Sequence, residues 1–199
     1  MKIGVLFSGG KDSALAALML ARYYDVELNT FVFSQDRSVP AVKAAAACLG
    51  LPHTIRVFEE GLLDEAIKML IRCGYPHDAL NMVHRTAVET LSKKYPAVGD
   101  GTRWNDRVPM LARPEVQQIE ALSGCSYVRP LLGFGKNEVD RLANSMLAVQ
   151  YGETGTIENG DYEHEIRKAV CARGIDSATL FPSGHRQSLV TGRKTTEQT

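Results

Sequence analysis

Short apolar runs alternate along the chain with longer stretches of helical spacing. Residues 3–7 are an apolar run that ends in a glycine-containing turn, and residues 14–23 follow with strong helix formers and almost no polar break. The pattern predicts strand, tight loop and buried helix. Residues 28–33 form a second β-rich run, and 39–49 an alanine-dense helical segment that Gly50 closes as a C-terminal cap. A third strand is expected at 53–58. A third helix follows over 62–73, where Leu63, Ala66, Ile67, Leu70 and Ile71 recur at helical spacing before Gly74 and Pro76 break it. Then come a long amphipathic helix over 78–94, a short strand at 97–99, a polar loop to Pro109, a helix over 115–122 and a fifth strand at 126–129.

Strands alternating with helices at this spacing imply a parallel sheet covered on both faces, because each parallel connection must cross over and a helix is the usual means. The expected class is α/β: a Rossmann-like open parallel sheet of about five strands. One further helix is predicted over 137–147. Beyond Gln150 the chain turns rich in Gly, Thr and charge, apart from a helix at 162–173. Residues 1–150 are therefore read as one α/β domain, and 151–199 as an appendage with one helix and a polar, partly basic tail. Residues 193–199 are polar enough to be disordered.

Composition narrows the class without naming a partner. The 23 basic and 23 acidic side chains cancel, so no whole-molecule field draws the protein onto a polyanion or a membrane, and any such partner needs a local patch. Cys48, Cys73, Cys125 and Cys171 are widely separated, with no C-x-x-C pair, so neither a disulfide framework nor a zinc knuckle is indicated. No stretch reaches the roughly 18 apolar residues that span a bilayer. A cytoplasmic protein in a reducing compartment is expected.

The chemistry concentrates on Ser8-Gly9-Gly10-Lys11-Asp12-Ser13, between the first strand and the first helix. In an open parallel sheet ligands collect at the carboxyl ends of strands, and a helix N-terminus offers unpaired N–H groups to an anion. Gly9 and Gly10 permit close backbone approach, Ser8 and Ser13 supply hydroxyls, Lys11 adds positive charge, and Asp12 is able to hold Mg²⁺ or cap the helix. The plainer alternative is a glycine turn with Ser13 as an ordinary cap. Neither G-x-x-x-x-G-K-[ST] nor G-x-G-x-x-G is present, so γ-phosphate transfer and hydride transfer have no motif behind them.

The string SGGKDS after an N-terminal apolar strand resembles the PP-loop of the ATP pyrophosphatases, which include NAD, GMP and asparagine synthetases, tRNA thiolation enzymes and lysidine synthetase. Residues 98–106, Val-Gly-Asp-Gly-Thr-Arg-Trp-Asn-Asp, are similar to the segment that tRNA-modifying members place beside the phosphates. Arg129-Pro130-Leu131-Leu132 with Lys136 and Glu138 looks like the R-P-L-[LV] strand end and following K-x-E of the thiolation and lysidine enzymes. The resemblance covers roughly residues 1 to 147. It implies an adenine nucleotide alpha-hydrolase-like fold, ATP and Mg²⁺ as cofactors, transfer of AMP to a substrate oxygen, release of pyrophosphate, and attack by nitrogen or sulfur.

Residue by residue, it implies Lys11, Asp12 and Asp106 as catalytic, with Asp12 and Asp106 as Mg²⁺ ligands. Ser8, Gly9, Gly10, Lys11, Asp12, Ser13, Gly101 and Thr102 would hold ATP, and the backbone at Phe33 and Ser34 the adenine. The family often has two acids where this chain has Asn105-Asp106, which leaves open whether Asp100 completes the metal site. Asp106 capping a turn of a polar loop is the alternative there, as a strand merely ending at proline is for Arg129 and Lys136. Those two residues, with His185 and Arg186 of the tail, are candidates for a substrate or phosphate backbone.

Other residues tempt less. Cys73 reads as a buried structural thiol rather than a persulfide carrier, Cys48 as core, and His77 and His84 as solvated or helix-capping. Residues 182–189 with Arg193 and Lys194 concentrate donors able to recognise a phosphate backbone, return to close the ATP site, or pair subunits as a homodimer; a solvated tail is the alternative. The expected activity is ATP pyrophosphatase chemistry, with a tRNA base favoured as acceptor. An ammonia-dependent amide ligase acting on a small carboxylate and a non-catalytic ATP- or AMP-binding regulator are the competing functions.

Overall fold

The computed structural model describes residues 1–153, 156–182 and 186–194. Five strands form one wholly parallel sheet: β1 (Lys2–Leu6), β2 (Asp25–Val32), β3 (His53–Val57), β4 (Ala97–Gly99) and β5 (Ser126–Val128), in the order β3-β2-β1-β4-β5. Helix α1 (Lys11–Leu20) joins β1 to β2 and α2 (Pro40–Leu49) joins β2 to β3. The pair α3 (Leu62–Cys73) and α4 (His77–Ser92) joins β3 to β4, and α5 (Arg113–Ser123) joins β4 to β5. Two further helices, α6 (Lys136–Met146) and α7 (Tyr162–Ala172), follow the sheet. The α/β class and the five strands are as the periodicity predicts.

Alternating side chains of the sheet feed two cores. Ile3, Val5 and Leu28 pack with α1, α2 and α6 on one face, whereas Leu6, Phe31 and Val98 pack with α3, α4, α5 and α7 on the other. Leu15, Ile67, Leu70 and Leu91 are fully buried, and burial of such a side chain contributes about 1.5–3 kcal/mol. Helices therefore cover both faces, and β1 lies at the centre.

The strand order places the ligand crevice. From β1 the chain moves outward through β2 to β3, then returns to the opposite side of β1 with β4 and β5. The direction reverses between β1 and β4, and in open α/β sheets the crevice lies outside the carboxyl ends of the strands at such a point. The segments leaving β1 and β4 are Phe7–Gly10 and Asp100–Ala112; the motif Ser8–Ser13 spans the first and the opening turn of α1, and 98–106 spans the end of β4 and the start of the second.

The C-terminal region departs from the expectation. Residue 147 begins a strand instead of ending a helix: β6 (Leu147–Glu153) pairs antiparallel with β7 (Arg186–Arg193) as a second, two-stranded sheet. Val190 and Leu147 are buried in the core beside α1 and α2. The pairing joins residues more than 30 positions apart, so local periodicity carried no sign of it. Arg193, expected to be disordered, ends β7, and the Lys194 N–H donates to the Met146 carbonyl at 2.8 Å. Residues 195–199 lie outside the described residues.

Candidate active site

The loop after β1 is held by backbone groups from distant parts of the chain. The Ser8 carbonyl accepts the Gly160 N–H at 2.7 Å, the Gly9 carbonyl accepts the Val190 N–H at 2.9 Å, and the Lys11 N–H donates to the Ser188 hydroxyl at 3.2 Å. The tail thus returns to the loop, one of the roles open to it on sequence. Within the loop the Gly10 N–H donates to the Ser8 hydroxyl and the Ser13 hydroxyl to the Gly10 carbonyl. Gly9 has φ +79°, a conformation that costs other residues roughly 1–2 kcal/mol. The N-cap of α1, Gly10, has no side chain to cap it; the Lys11 N–H is taken by the Ser188 hydroxyl and the Ala14 N–H by the Gly10 carbonyl, which leaves the Asp12 and Ser13 amides at a helix N-terminus whose dipole favours an anion.

The β4 loop lies directly on that first turn. A Cβ added at Gly101 would stand 2.6 Å from the Asp12 carbonyl carbon and from the Ser13 nitrogen. Only glycine allows the two loops to approach this closely. Between them and the start of α7 is a cavity of about 210 Å³, whose lining includes Ser8, Asp12, Ser13, Thr102, Arg103 and Asp106 together with Phe31, Val108 and Tyr162. Small-molecule sites usually span roughly 300–1,000 Å³, so the space suits a polyphosphate better than a whole nucleotide.

The charged groups form an alternating chain. The Lys11 ammonium contacts Asp12 at 2.6 Å and Asp140 of α6 at 3.0 Å. The Arg103 guanidinium contacts the second Asp12 oxygen at 3.2 Å and pairs with Asp106. Burial opposes the charge of both cations, but the carboxylates around each outweigh it and hold each above its ordinary pKa. Asp106 also accepts the Arg103 N–H at 2.7 Å, so it caps its own turn while its other oxygen meets the guanidinium. Lys11 is absent from the cavity wall, and Arg103 stands there instead.

A buried network supports the β4 loop from beneath. Asp100, 2% exposed, accepts the Thr102 N–H at 2.9 Å, His84 Nε2 at 2.8 Å and the Tyr127 hydroxyl. Burial raises the Asp100 pKa, but these donors overcome it and hold the carboxyl below its ordinary range. The same carboxylate and burial push the Tyr127 hydroxyl well up, and burial, with Asp161 and Asp100, raises Tyr162. With its oxygens engaged by protein donors, Asp100 serves as a brace for the loop.

Among the sequence-predicted residues, the structure brings together Ser8, Asp12, Ser13, Gly101, Thr102 and Asp106, with Gly9, Gly10 and Lys11 behind them. Others lie elsewhere. The Phe33 N–H donates to Glu165 of α7 at 3.2 Å, and Ser34 is exposed. Arg129 donates to the Leu111 carbonyl at 3.2 Å and lies over the Tyr127 ring, which fixes the loop before α5. Lys136 is exposed at the start of α6, and Arg186 is exposed over the Tyr151 ring. His185 lies outside the described residues. Cys73 is exposed, not a buried thiol, and Cys48 is partly exposed on α2, its thiol 3.5 Å from the Thr191 carbonyl.

Two residues of the site escaped the sequence reading. His84 is buried, not solvated, and the signal was present: it shares the face of α4 with Leu80, Val83, Ala87, Val88 and Leu91 at helical spacing. Arg103 stood within the quoted β4 segment, a cation three residues before Asp106, without a role assigned to it.

A family model described as a family of unknown function, DUF7411, matches residues 1–192. The chain belongs to that family. It is 36% identical over 195 residues to the protein MJ0690 of Methanocaldococcus jannaschii, covering 98% of this chain and 97% of that one. It also superposes with TM-score 0.89 and 34% identity on a crystal structure described as a predicted subunit of tRNA methyltransferase from Methanocaldococcus jannaschii, across 98% of this chain and 99% of the other. A looser likeness, TM-score 0.48 at 20% identity over 72% of this chain and 63% of the other, is to an NH3-dependent NAD synthetase from Campylobacter jejuni. The DUF7411 chain therefore matches the Methanocaldococcus sequence and the Methanocaldococcus structure over nearly its whole length. No helix among the described residues is long and apolar enough to cross a membrane.

Proposed function

We propose that this DUF7411 protein binds ATP at the carboxyl ends of β1 and β4 and cleaves it between the α and β phosphates, as the resemblance of Ser8–Ser13 to the PP-loop implies. The observation that carries the reading is the placement of that loop. It stands at the sheet's reversal point, at a helix N-terminus, against a cavity of about 210 Å³ that carries the Ser8 and Ser13 hydroxyls and the side chains of Asp12, Arg103 and Asp106. A substrate oxygen attacks the α-phosphorus, the bond to the β-phosphate breaks, and pyrophosphate leaves; a nitrogen or sulfur nucleophile then displaces AMP. Such chemistry is catalysed mainly by positioning and electrostatics. The loop amides and the Ser8 and Ser13 hydroxyls hold the phosphates in line, and Lys11 fixes the orientation of Asp12. The adenine is assigned to the end of β2, where it competes with Glu165 for the Phe33 N–H.

The residues fit a magnesium ion. Asp12 and Asp106 converge on one guanidinium, so their hard oxygen donors face a common point. Among the described residues no group of three or more His, Cys, Asp or Glu side chains could hold a metal. Mg²⁺ is usually bound by one or two carboxylates together with substrate phosphates, and this site offers that partial set. Bound there, the ion would neutralise the departing pyrophosphate.

The acceptor is a tRNA base. The likeness to the Methanocaldococcus structure described as a predicted subunit of tRNA methyltransferase and the similarity of residues 98–106 and 129–132 to tRNA-modifying enzymes support that choice over a small carboxylate. Incubation with α-labelled ATP, Mg²⁺ and either tRNA or small carboxylates tests it. AMP and pyrophosphate formed only with tRNA is the expected result. Turnover only with a carboxylate and ammonia transfers the reading to amide ligation. ADP as the sole product refutes α,β cleavage, and binding without turnover under every substrate indicates a regulator.

A further inference from the structure

The chain of charges at the cavity, Asp140, Lys11, Asp12, Arg103 and Asp106, alternates in sign and includes both carboxylates assigned to the metal. Arg103 fills the space between Asp12 and Asp106. It is 16% exposed, and its Nη1 is buried without a hydrogen-bond partner among the described residues. A half-buried guanidinium with an unused donor, lining the same cavity as Ser8 and Ser13, is ready for another oxygen ligand. Its two carboxylates, meanwhile, are engaged by a cation the protein itself supplies.

We infer that Arg103 is an internal counter-ion that couples metal binding to nucleotide binding: without nucleotide it occupies Asp12 and Asp106, and with nucleotide it turns to the polyphosphate and frees both carboxylates for a divalent cation. The inference rests on the nucleotide-binding reading of the cavity and adds a thermodynamic property to it. A divalent cation alone competes with a guanidinium already in place and binds weakly. A polyphosphate offers that guanidinium bidentate oxygens, and its departure leaves a net negative pair facing the phosphates. Metal and nucleotide then strengthen each other, and by linkage the factor is the same in both directions. In the nucleotide-free protein the arrangement also gives the partly buried Asp106 a cationic partner and Asp12 a second one beside Lys11.

The consequence is a substitution with opposite effects on two ligands. In Arg103→Gln, Mn²⁺ alone, followed by electron paramagnetic resonance of the free ion, is expected to bind about tenfold tighter than to the wild type. ATP without metal, followed by calorimetry, is expected to bind about tenfold weaker, since a charge-assisted contact of this kind carries roughly that factor. The mutual enhancement between Mn²⁺ and ATP should shrink toward unity. Arg103→Lys keeps the charge but loses the planar fork and should fall between the two on both titrations; it carries the same test if the glutamine variant does not fold. A merely structural role for Arg103 would weaken both ligands together. That result, or unchanged affinities in a variant with native circular dichroism, overturns the inference while leaving ATP binding by the wild type intact. Failure of the wild type to bind ATP at all would instead remove the underlying reading, and the inference with it.

Discussion

The two loops that meet at the cavity are held by different physics. The loop after β1 is fixed by backbone bonds from Gly160 and Val190 and by the Ser188 hydroxyl, three contacts whose partners lie at least 152 positions apart in the chain. The loop after β4 is fixed by charge: Arg103 against Asp12 and Asp106 above, and Asp100 against His84 and Tyr127 below. Backbone bonds set a shape that is indifferent to salt and pH, whereas ion pairs set one that other ions are able to compete for. The difference assigns the tasks. A rigid amide cradle suits a phosphate chain, and an electrostatically assembled neighbour suits a place where a metal and a polyphosphate arrive together.

The comparison is broken most severely at Asp100. Replacement by Ala leaves His84 and Tyr127 buried without their acceptor, at an expected cost of about 3 kcal/mol, read by urea unfolding. Asp100 also predicts a pH dependence. Its pKa is depressed in the folded protein, so its contribution is complete above the ordinary carboxylate value of about 3.9 and is lost as pH falls through the lower folded value. Wild-type stability should therefore decline on acidification below that range, and Asp100→Asn should flatten the decline. An unaltered acid profile in Asp100→Asn would deny the network this role.

A smaller effect is expected where the loops touch. Gly101→Ala inserts a Cβ into the backbone of the first turn of α1, where neither side yields easily. About 1–3 kcal/mol of stability and most ATP affinity should be lost, measured by denaturation and calorimetry. Smallest is Ser188→Ala, which removes one hydroxyl from the Lys11 N–H. Its cost of about 1 kcal/mol lowers the melting temperature by about 2–4 °C, and ATP affinity should drop less than in Gly101→Ala. The reverse order would mean that the tail, not the glycine contact, sets the cradle.

Much of this was legible in the chain itself. The parallel sheet follows from runs such as 3–7 and 28–33 with helices between them, because burial on both faces makes the central strands mostly apolar. The strand-end glycines and hydroxyls of residues 8–13 mark the proposed anion site, because few other residue types leave amides unobstructed. What lay hidden was non-local. The pairing of β6 with β7 depends on contacts across more than 30 residues, and neither strand has a long alternating pattern. The orientation of Lys11 toward Asp140 could not be read from position, since its partner lies 129 residues away on another helix. Arg103 was visible but mute, because a cation beside an acid in a polar loop is ordinary until both acids prove to share it. His84 was hidden only by its residue type; the helical period already placed it inside.

The central claim, that the amides leaving β1 cradle a triphosphate, is tested most directly by titrating ¹⁵N-labelled protein with ATP and magnesium and following its amide resonances. The account predicts the largest shifts at Gly9, Gly10, Lys11, Asp12 and Ser13, with Gly101 and Arg103 next. Saturable shifts confined to other parts of the molecule, with these five unmoved, would contradict it.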